Sequence, residues 1–534
     1  MSAMTASDPT PTDPLISVVG LTVTYGTGAE AHTALDGVDL EVRAGERIAV
    51  VGESGSGKST LVAAMLGLLP SAARVLGGEI RVDGTVLDPR RPQTRLLGRV
   101  VGYVPQDPLT NLDPLRRIGP QVTSSARSHG LVTRNEAPAL AVEALAHAGV
   151  AEPETRVSQY PHELSGGLRQ RSLIAAATAA RPAVLLADEP TSALDVTVQR
   201  RILDRLEQLV AEDHLALVFV THDLALAAER ADRLVVMRSG RVVETGDAAA
   251  VLREPSHPYT RALLAAVPSL VDRRPPDPGE PTGPAVLSGR DLVKDYPGRR
   301  ALDGASFDVH AGHTLAVVGE SGSGKSTLAQ IALRLLTPTS GTVLFEGADV
   351  TTADRAGLRE LRRAVQPVFQ DPASSLDPTF TVARAVAEPL RVSKASTATV
   401  RRRVRELLDL VSIPAAAADR PVTALSGGQQ QRVAIARALA LQPRVLICDE
   451  PVSALDVLVQ EQILELFTTL QQELGLAYLF ISHDLAVVRR LAHDVLVMHG
   501  GRVVESGPAR AVLDAPQADY TRELLAAVPR PRVA

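Results

Sequence analysis

Two ten-residue stretches of this chain are identical: GESGSGKSTL occupies residues 52–61 and again residues 319–328. Each sets three glycines (Gly52, Gly55 and Gly57; Gly319, Gly322 and Gly324) ahead of a lysine and two hydroxyl residues (Lys58, Ser59 and Thr60; Lys325, Ser326 and Thr327). That is the spacing of a phosphate-binding loop. Glycines let the backbone curl until its N–H groups point inward at phosphate oxygens. Ser54 and Ser321 lie within the curl and are assigned to the same nucleotide. A following helix adds the positive end of its dipole. The lysine ammonium reaches the β- and γ-phosphates of a nucleoside triphosphate, and the serine hydroxyl ligates Mg²⁺. The chain holds four lysines against 52 arginines, yet keeps lysine at both loops. A compact, flexible point charge suits a triphosphate there, and a planar guanidinium fits poorly.

The groups that would act on such a nucleotide recur in the same order. An apolar run ends in Asp188-Glu189 and another in Asp449-Glu450. The aspartate would hold Mg²⁺, directly or through water, and the glutamate would polarise the attacking water as a general base. Gln106 and Gln370 each open a QDP segment and offer a neutral amide to Mg²⁺ or to the water. His222 and His483 follow the runs ending VT and IS, and their repeated context points to contact with the γ-phosphate.

These residues need a scaffold, and the sequence predicts one. Residues 46–51 and 314–318 read as buried strands leading into the glycine loops, with helices over 58–69 and 325–336 after them. Residues 100–104, 183–187 and 217–220 read as further strands, as do 364–369, 445–448 and 478–481. Alternation of buried strands with helices argues for an α/β fold with a mostly parallel sheet covered on both faces. Residues 399–413 carry one apolar helix face, at Val400, Val404, Leu407, Leu408 and Val411, and belong to a helical subdomain.

Everything is present twice. The glycine loops lie 267 residues apart; LSGG, DEP, SALDV and HDLA, together with Tyr259 and Tyr520, lie 261 apart. A near-constant offset means two copies of one domain, expected at 15–268 and 285–534. Residues 269–284 (SLVDRRPPDPGEPTGP) read as an extended linker, and 1–14 as a disordered lead-in without a secretory signal. Fully stretched, the linker spans about 50 Å.

Composition narrows the function. A net charge of −5 over 534 residues gives no reason to expect nucleic acid as a partner. One cysteine, Cys448, cannot form an internal disulfide, a zinc site or an iron–sulfur cluster, and reads as a small core residue. No stretch reaches the length and apolarity of a membrane span.

With LSGG placed between each phosphate loop and its Asp-Glu strand, the chain resembles the ATPase subunits of ABC transporters from about residue 15 to 533. The resemblance implies two tandem P-loop NTPase (ABC ATPase) domains, each a RecA-like core with an antiparallel β subdomain and a helical subdomain. It implies head-to-tail pairing, in which one ATP is met by Lys58, Ser59, Gln106, Asp188, Glu189 and His222 with Ser426, Gly427 and Gly428. The other is met by Lys325, Ser326, Gln370, Asp449, Glu450 and His483 with Ser165, Gly166 and Gly167. Tyr25 and Tyr296 fall where the family stacks adenine.

QDPLTNLDP and QDPASSLDP, with HPYTRALLAAVP and DYTRELLAAVP, narrow the resemblance to the dipeptide, oligopeptide and nickel importers, here with two ATPase subunits fused. That implies ATP and Mg²⁺ as cofactors and import as the direction. It implies two separate membrane permease subunits and a solute-binding protein as partners, and a peripheral place on the cytoplasmic face of the membrane. Some relatives carry a cysteine cluster after the first tail; none is expected here. The signatures continue LRQR and QQQR, so the two sites are expected to be competent but unequal. The rival reading, a tandem ABC protein acting on ribosomes, resembles proteins with a long charged segment between domains. This linker has no basic run. A DNA-repair ATPase would need zinc cysteines.

Overall fold

The computed structural model describes residues 13–26, 31–191, 196–267, 275 and 283–529. The expected lead-in and linker fall almost wholly outside the described residues, as do residues 192–195 of the first SALDV segment. The chain divides into two compact units, built chiefly from residues 1–265 and 266–528.

In the first unit a six-stranded sheet runs Val101–Val104, Val184–Asp188, Ala216–Thr221, Arg47–Val51, Arg233–Arg238, Arg241–Asp247. The first five strands are parallel and the last is an antiparallel edge. Every residue of Val184–Asp188 and Ala216–Thr221 is buried, because both faces of the sheet are covered and leave no polar side for alternation. The second unit repeats the order with Val365–Val368, Val445–Asp449, Ala477–Ile481, Thr314–Val318, Asp494–His499 and Arg502–Pro508.

Each unit adds a four-stranded antiparallel sheet. Its strands run His32–Val42, Ile16–Tyr25, Ala73–Val82, Thr85–Leu87 in the first unit, and Arg299–Val309, Leu287–Tyr296, Ser340–Phe345, Ala348–Asp349 in the second. A helical part lies between loop and signature. In the second unit it is built from Val382–Val392 and Thr397–Leu410, whose apolar stripe of Val400, Val404, Leu407 and Leu408 is buried in one core with the signature helix Gly427–Leu439. Cys448 is fully buried in strand Val445–Asp449, where burial pushes its thiol far above the ordinary range; Ala187 is the buried counterpart. Among the described residues no helix is long and apolar enough to cross a membrane.

Helix ends depart from the sequence reading. The helices expected over 58–69 and 325–336 stop at Lys58–Met65 and Lys325–Ala332. Gly67, at φ 69°, turns the chain left-handed, and the Leu68 N–H closes back on the Ala63 carbonyl at 2.8 Å. In the second unit the same turn is made by Arg334 at φ 52°, a costlier choice. Its guanidinium compensates by donating to the carbonyls of Val350 and Thr351. Apolar residues continue past both turns, which is why the pattern alone overran the helix.

Candidate functional site

The glycine loop leaves the carboxyl end of strand Arg47–Val51, and its neighbour Ala216–Thr221 separates it from Val184–Asp188. Loop, histidine and carboxylates therefore gather at one end of a parallel sheet, where such folds place ligands. Gly57 caps the next helix at φ 104°, and a Cβ there would lie 2.5 Å from the Ala34 carbonyl oxygen. Gly324 repeats this at φ 106° against Ala301, at 2.6 Å. Only glycine fits either position.

Lys58 is buried, and its Nζ donates to the carbonyls of Gly52 at 2.7 Å and Glu53 at 2.8 Å. Lys325 makes the same two bonds, at the same distances, to Gly319 and Glu320. The ammonium thus sits folded over its own loop, beside the Asp-Glu pair.

Asp188 is buried at its strand end, and one of its oxygens, Oδ1, has no hydrogen-bond partner. Burial pushes its carboxyl up, the Glu189 charge adds to this, and the Ser59 hydroxyl and the Lys58 ammonium offset part of it. Asp449 is raised for the same main reason, with Lys325 and Ser326 opposing. A buried carboxylate oxygen seeking a partner, next to a serine hydroxyl, is a hard oxygen donor set of the kind Mg²⁺ takes. Among the described residues no cluster of His, Cys, Asp and Glu forms a metal site of the kind those ligands build together.

Glu189 follows at a left-handed φ of 44°, and Glu450 at 48°. Each is pinned by its own N–H, to the Val220 and Ile481 carbonyls at 3.0 Å. The turn aims the carboxylate between two donors. The Gln106 amide donates to Glu189 Oε2 at 3.0 Å, and His222 Nδ1 stands 3.4 Å from Oε1. In the second unit Gln370 donates to Glu450 at 3.0 Å, His483 Nδ1 lies 3.1 Å from it, and Gln370 also reaches Ser453 at 3.4 Å. Burial alone would raise these glutamates. The histidine hydrogen bond and charge, with the nearby lysine, outweigh it and hold both below the usual range. Burial lowers the histidines, and the glutamates more than reverse this, so both lie above the usual imidazole value. An ionised glutamate backed by an imidazole is chemically equipped to polarise a water.

The signature serines open the helices Gly166–Thr178 and Gly427–Leu439. Ser426 accepts from the Gln429 N–H, and the Gln429 side chain accepts from the Ser426 N–H, closing a capping box. Ser165 has only the first half, because Leu168 stands in place of the glutamine. Behind the turns, Gly167 and Gly428 back onto Val198 and Val459 closely enough that a Cβ would clash.

Tyr25 is half-buried against the first core with its hydroxyl 3.5 Å from Thr60 Oγ1, whereas Tyr296 is exposed beneath Lys294, whose Nζ lies 5.5 Å from the ring centroid. The repeat of Tyr259 and Tyr520 is visible in the sequence, but their contacts with the phosphate loops appear only in the fold. The Glu53 N–H donates to the Tyr259 hydroxyl at 3.0 Å, and the Glu320 N–H to that of Tyr520 at 3.0 Å.

A twinned P-loop ATPase, with a signature helix in each half, is the class this fold and site define. The family model described as ABC transporter matches residues 35–192 and 302–453, and the Oligopeptide/dipeptide transporter C-terminal region matches 243–289 and 504–534. The chain belongs to the ABC transporter family, as a fused tandem ATP-binding protein that binds and hydrolyses ATP.

It is 41% identical to the glutathione import ATP-binding protein GsiA of Salmonella choleraesuis, over 98% of this chain and 91% of that one. Against the protein of the same name from Escherichia coli K12 it is also 41% identical, over 96% and 89%. The solved structure of cbiO1 from Clostridium perfringens, part of the ABC transporter complex cbiONQ, is 34% identical, covering 44% of this chain and 92% of its own, with a TM-score of 0.41.

Proposed function

We propose that this chain energises the import of peptides or a related small solute through two separate membrane permease subunits. A solute-binding protein delivers the cargo, and the chain works peripherally on the cytoplasmic face of the membrane. What supports the reading is the pairing of two fully equipped ATPase sites with a peptide-transporter tail after each. Glutathione enters as a candidate cargo through the names of the relatives. The domains are taken as 15–268 and 285–534, joined by 269–284.

In each half the phosphate loop and its lysine bind the triphosphate, and Glu189 or Glu450 draws a proton from the attacking water. His222 and His483 hold that glutamate ionised and in place. Ser59, Gln106 and Asp188, and likewise Ser326, Gln370 and Asp449, would hold Mg²⁺, which neutralises phosphate charge when bound. The SGG turns at 165–167 and 426–428 supply a hydroxyl and helix-end N–H groups as further phosphate contacts. Tyr25 and Tyr296 support the adenine.

Two measurements test this. Lys58→Ala with Lys325→Ala should lower ATP affinity at least tenfold, since each removes a charge-assisted contact to phosphate; unchanged affinity would sink the loop assignment. Affinity purification from detergent-solubilised membranes should recover permease subunits whose genes adjoin this one. Recovery of ribosomes without permeases would favour the rival.

A further inference from the structure

The tail after each core does more than mark a subfamily. In the first unit the carboxylate of Glu244, on the sheet's edge strand, accepts from Ser256 N at 2.7 Å, Ser256 Oγ at 2.8 Å and His257 N at 3.1 Å. That fixes the start of the tail helix Pro258–Ala266. Its second residue, Tyr259, is 3% exposed, and the Arg238 guanidinium lies over its ring at 4.7 Å. The Tyr259 hydroxyl takes the N–H of Glu53, the residue whose carbonyl holds the Lys58 ammonium. Burial, helped by the Glu53 carboxylate, outweighs the Glu53 N–H and pushes this phenol up to about 12.

The second unit builds the same chain from different side chains. Glu505 accepts from Gln517 N at 2.8 Å and Ala518 N at 3.1 Å, where the first unit has Ser256 and His257. Tyr520 packs on His499, with ring centroids 4.1 Å apart, where the first has an arginine. Its hydroxyl takes the N–H of Glu320, whose carbonyl holds Lys325. What repeats is the carboxylate anchor, the tyrosine and the loop amide; what surrounds them has changed. A local accident of sequence would not survive that change.

We propose that Tyr259 and Tyr520 are positioning residues for ATP: each hydroxyl fixes the second residue of its own unit's phosphate loop, so the tail helix sets the geometry in which the lysine is presented. The proposal rests on the phosphate-loop reading.

The test is the full chain carrying Tyr259→Phe and Tyr520→Phe, which keep both rings and remove only the hydroxyls. ATP affinity should fall about twofold to tenfold, the worth of one neutral hydrogen bond, with KM rising in step and kcat changing less than twofold. Hydrogen exchange at the amides of Glu53 and Glu320 should quicken while global unfolding stays within a few degrees. A purely structural tyrosine would lower the unfolding temperature and leave KM and affinity alone, and that outcome overturns the tether, as does unaltered exchange at the two amides. If Lys58→Ala with Lys325→Ala also leaves affinity normal, the loop reading and the tether fall together. If the lysine pair loses affinity and the tyrosine pair does not, the tether alone falls.

Discussion

Replacing both glutamates, Glu189→Gln and Glu450→Gln, separates binding from turnover. The amide keeps the shape of the carboxylate but removes its charge. It also presents one oxygen where the carboxylate presented two. In the structure those two oxygens face two partners, the Gln106 amide at 3.0 Å and His222 Nδ1 at 3.4 Å. In the first half one of the two must lose its acceptor, at about 0.5–1.5 kcal/mol for a partly exposed hydrogen bond; in the second half Gln370 and His483 both meet Oε2 of Glu450, so one amide oxygen can keep both. The fold should tolerate that. Loss of the base is the larger effect, about 10²- to 10⁴-fold in kcat, or about 2.7–5.4 kcal/mol of barrier. Lys58 and Lys325 keep their loop contacts, so ATP affinity should hold within about threefold. Steady-state phosphate release reads the first quantity and equilibrium binding of labelled ATP reads the second. Hydrolysis at the normal rate by a folded double variant would refute the glutamate assignment. Loss of both binding and turnover would mean the pair holds the loop rather than activates water.

Gly57→Ala and Gly324→Ala should each destabilise the chain by about 1–2 kcal/mol from the left-handed backbone alone, with more from the clash against Ala34 or Ala301. Thermal unfolding and ATP binding should both show it, and normal values for both would contradict the loop geometry. The histidine pairing predicts a pH dependence. His222 and His483 have raised values in the folded chain, so the stability they supply is full below about pH 6.5 and lost as pH rises through those raised values. The stability difference between the natural chain and Glu189→Gln with Glu450→Gln should therefore be larger at pH 6 than at pH 9. A difference constant across that span would rule out the charged pair.

The phosphate loops, carboxylates, glutamines and histidines could be read because each belongs to a short contiguous string that occurs twice. What those strings do to one another could not. Gln106 and Glu189 stand 83 residues apart, and Glu53 and Tyr259 stand 206 apart, so their hydrogen bonds exist only once the sheet order is set. The parallel core was legible from its unbroken apolar runs, such as VLLAD, all buried. The helix ends were not, because Leu66, Leu68 and Leu69 continue an apolar pattern past the point where the backbone turns. The left-handed φ of Glu189 leaves no mark in the sequence, since it is imposed by the neighbouring strand.

Gly67 and Arg334 answer one geometric demand in two ways, and this limits what can be exchanged between the halves. An arginine at 67 would drive its Cβ to 2.7 Å from the Arg91 carbonyl oxygen. A glycine at 334 would relax the backbone but strip the carbonyls of Val350 and Thr351 of their guanidinium donor. Neither residue can be copied into the other half alone. Chimeras meant to equalise the two ATPase sites should therefore cross over outside this turn and carry it together with the segment it packs on, residues 91–92 in one half and 350–351 in the other.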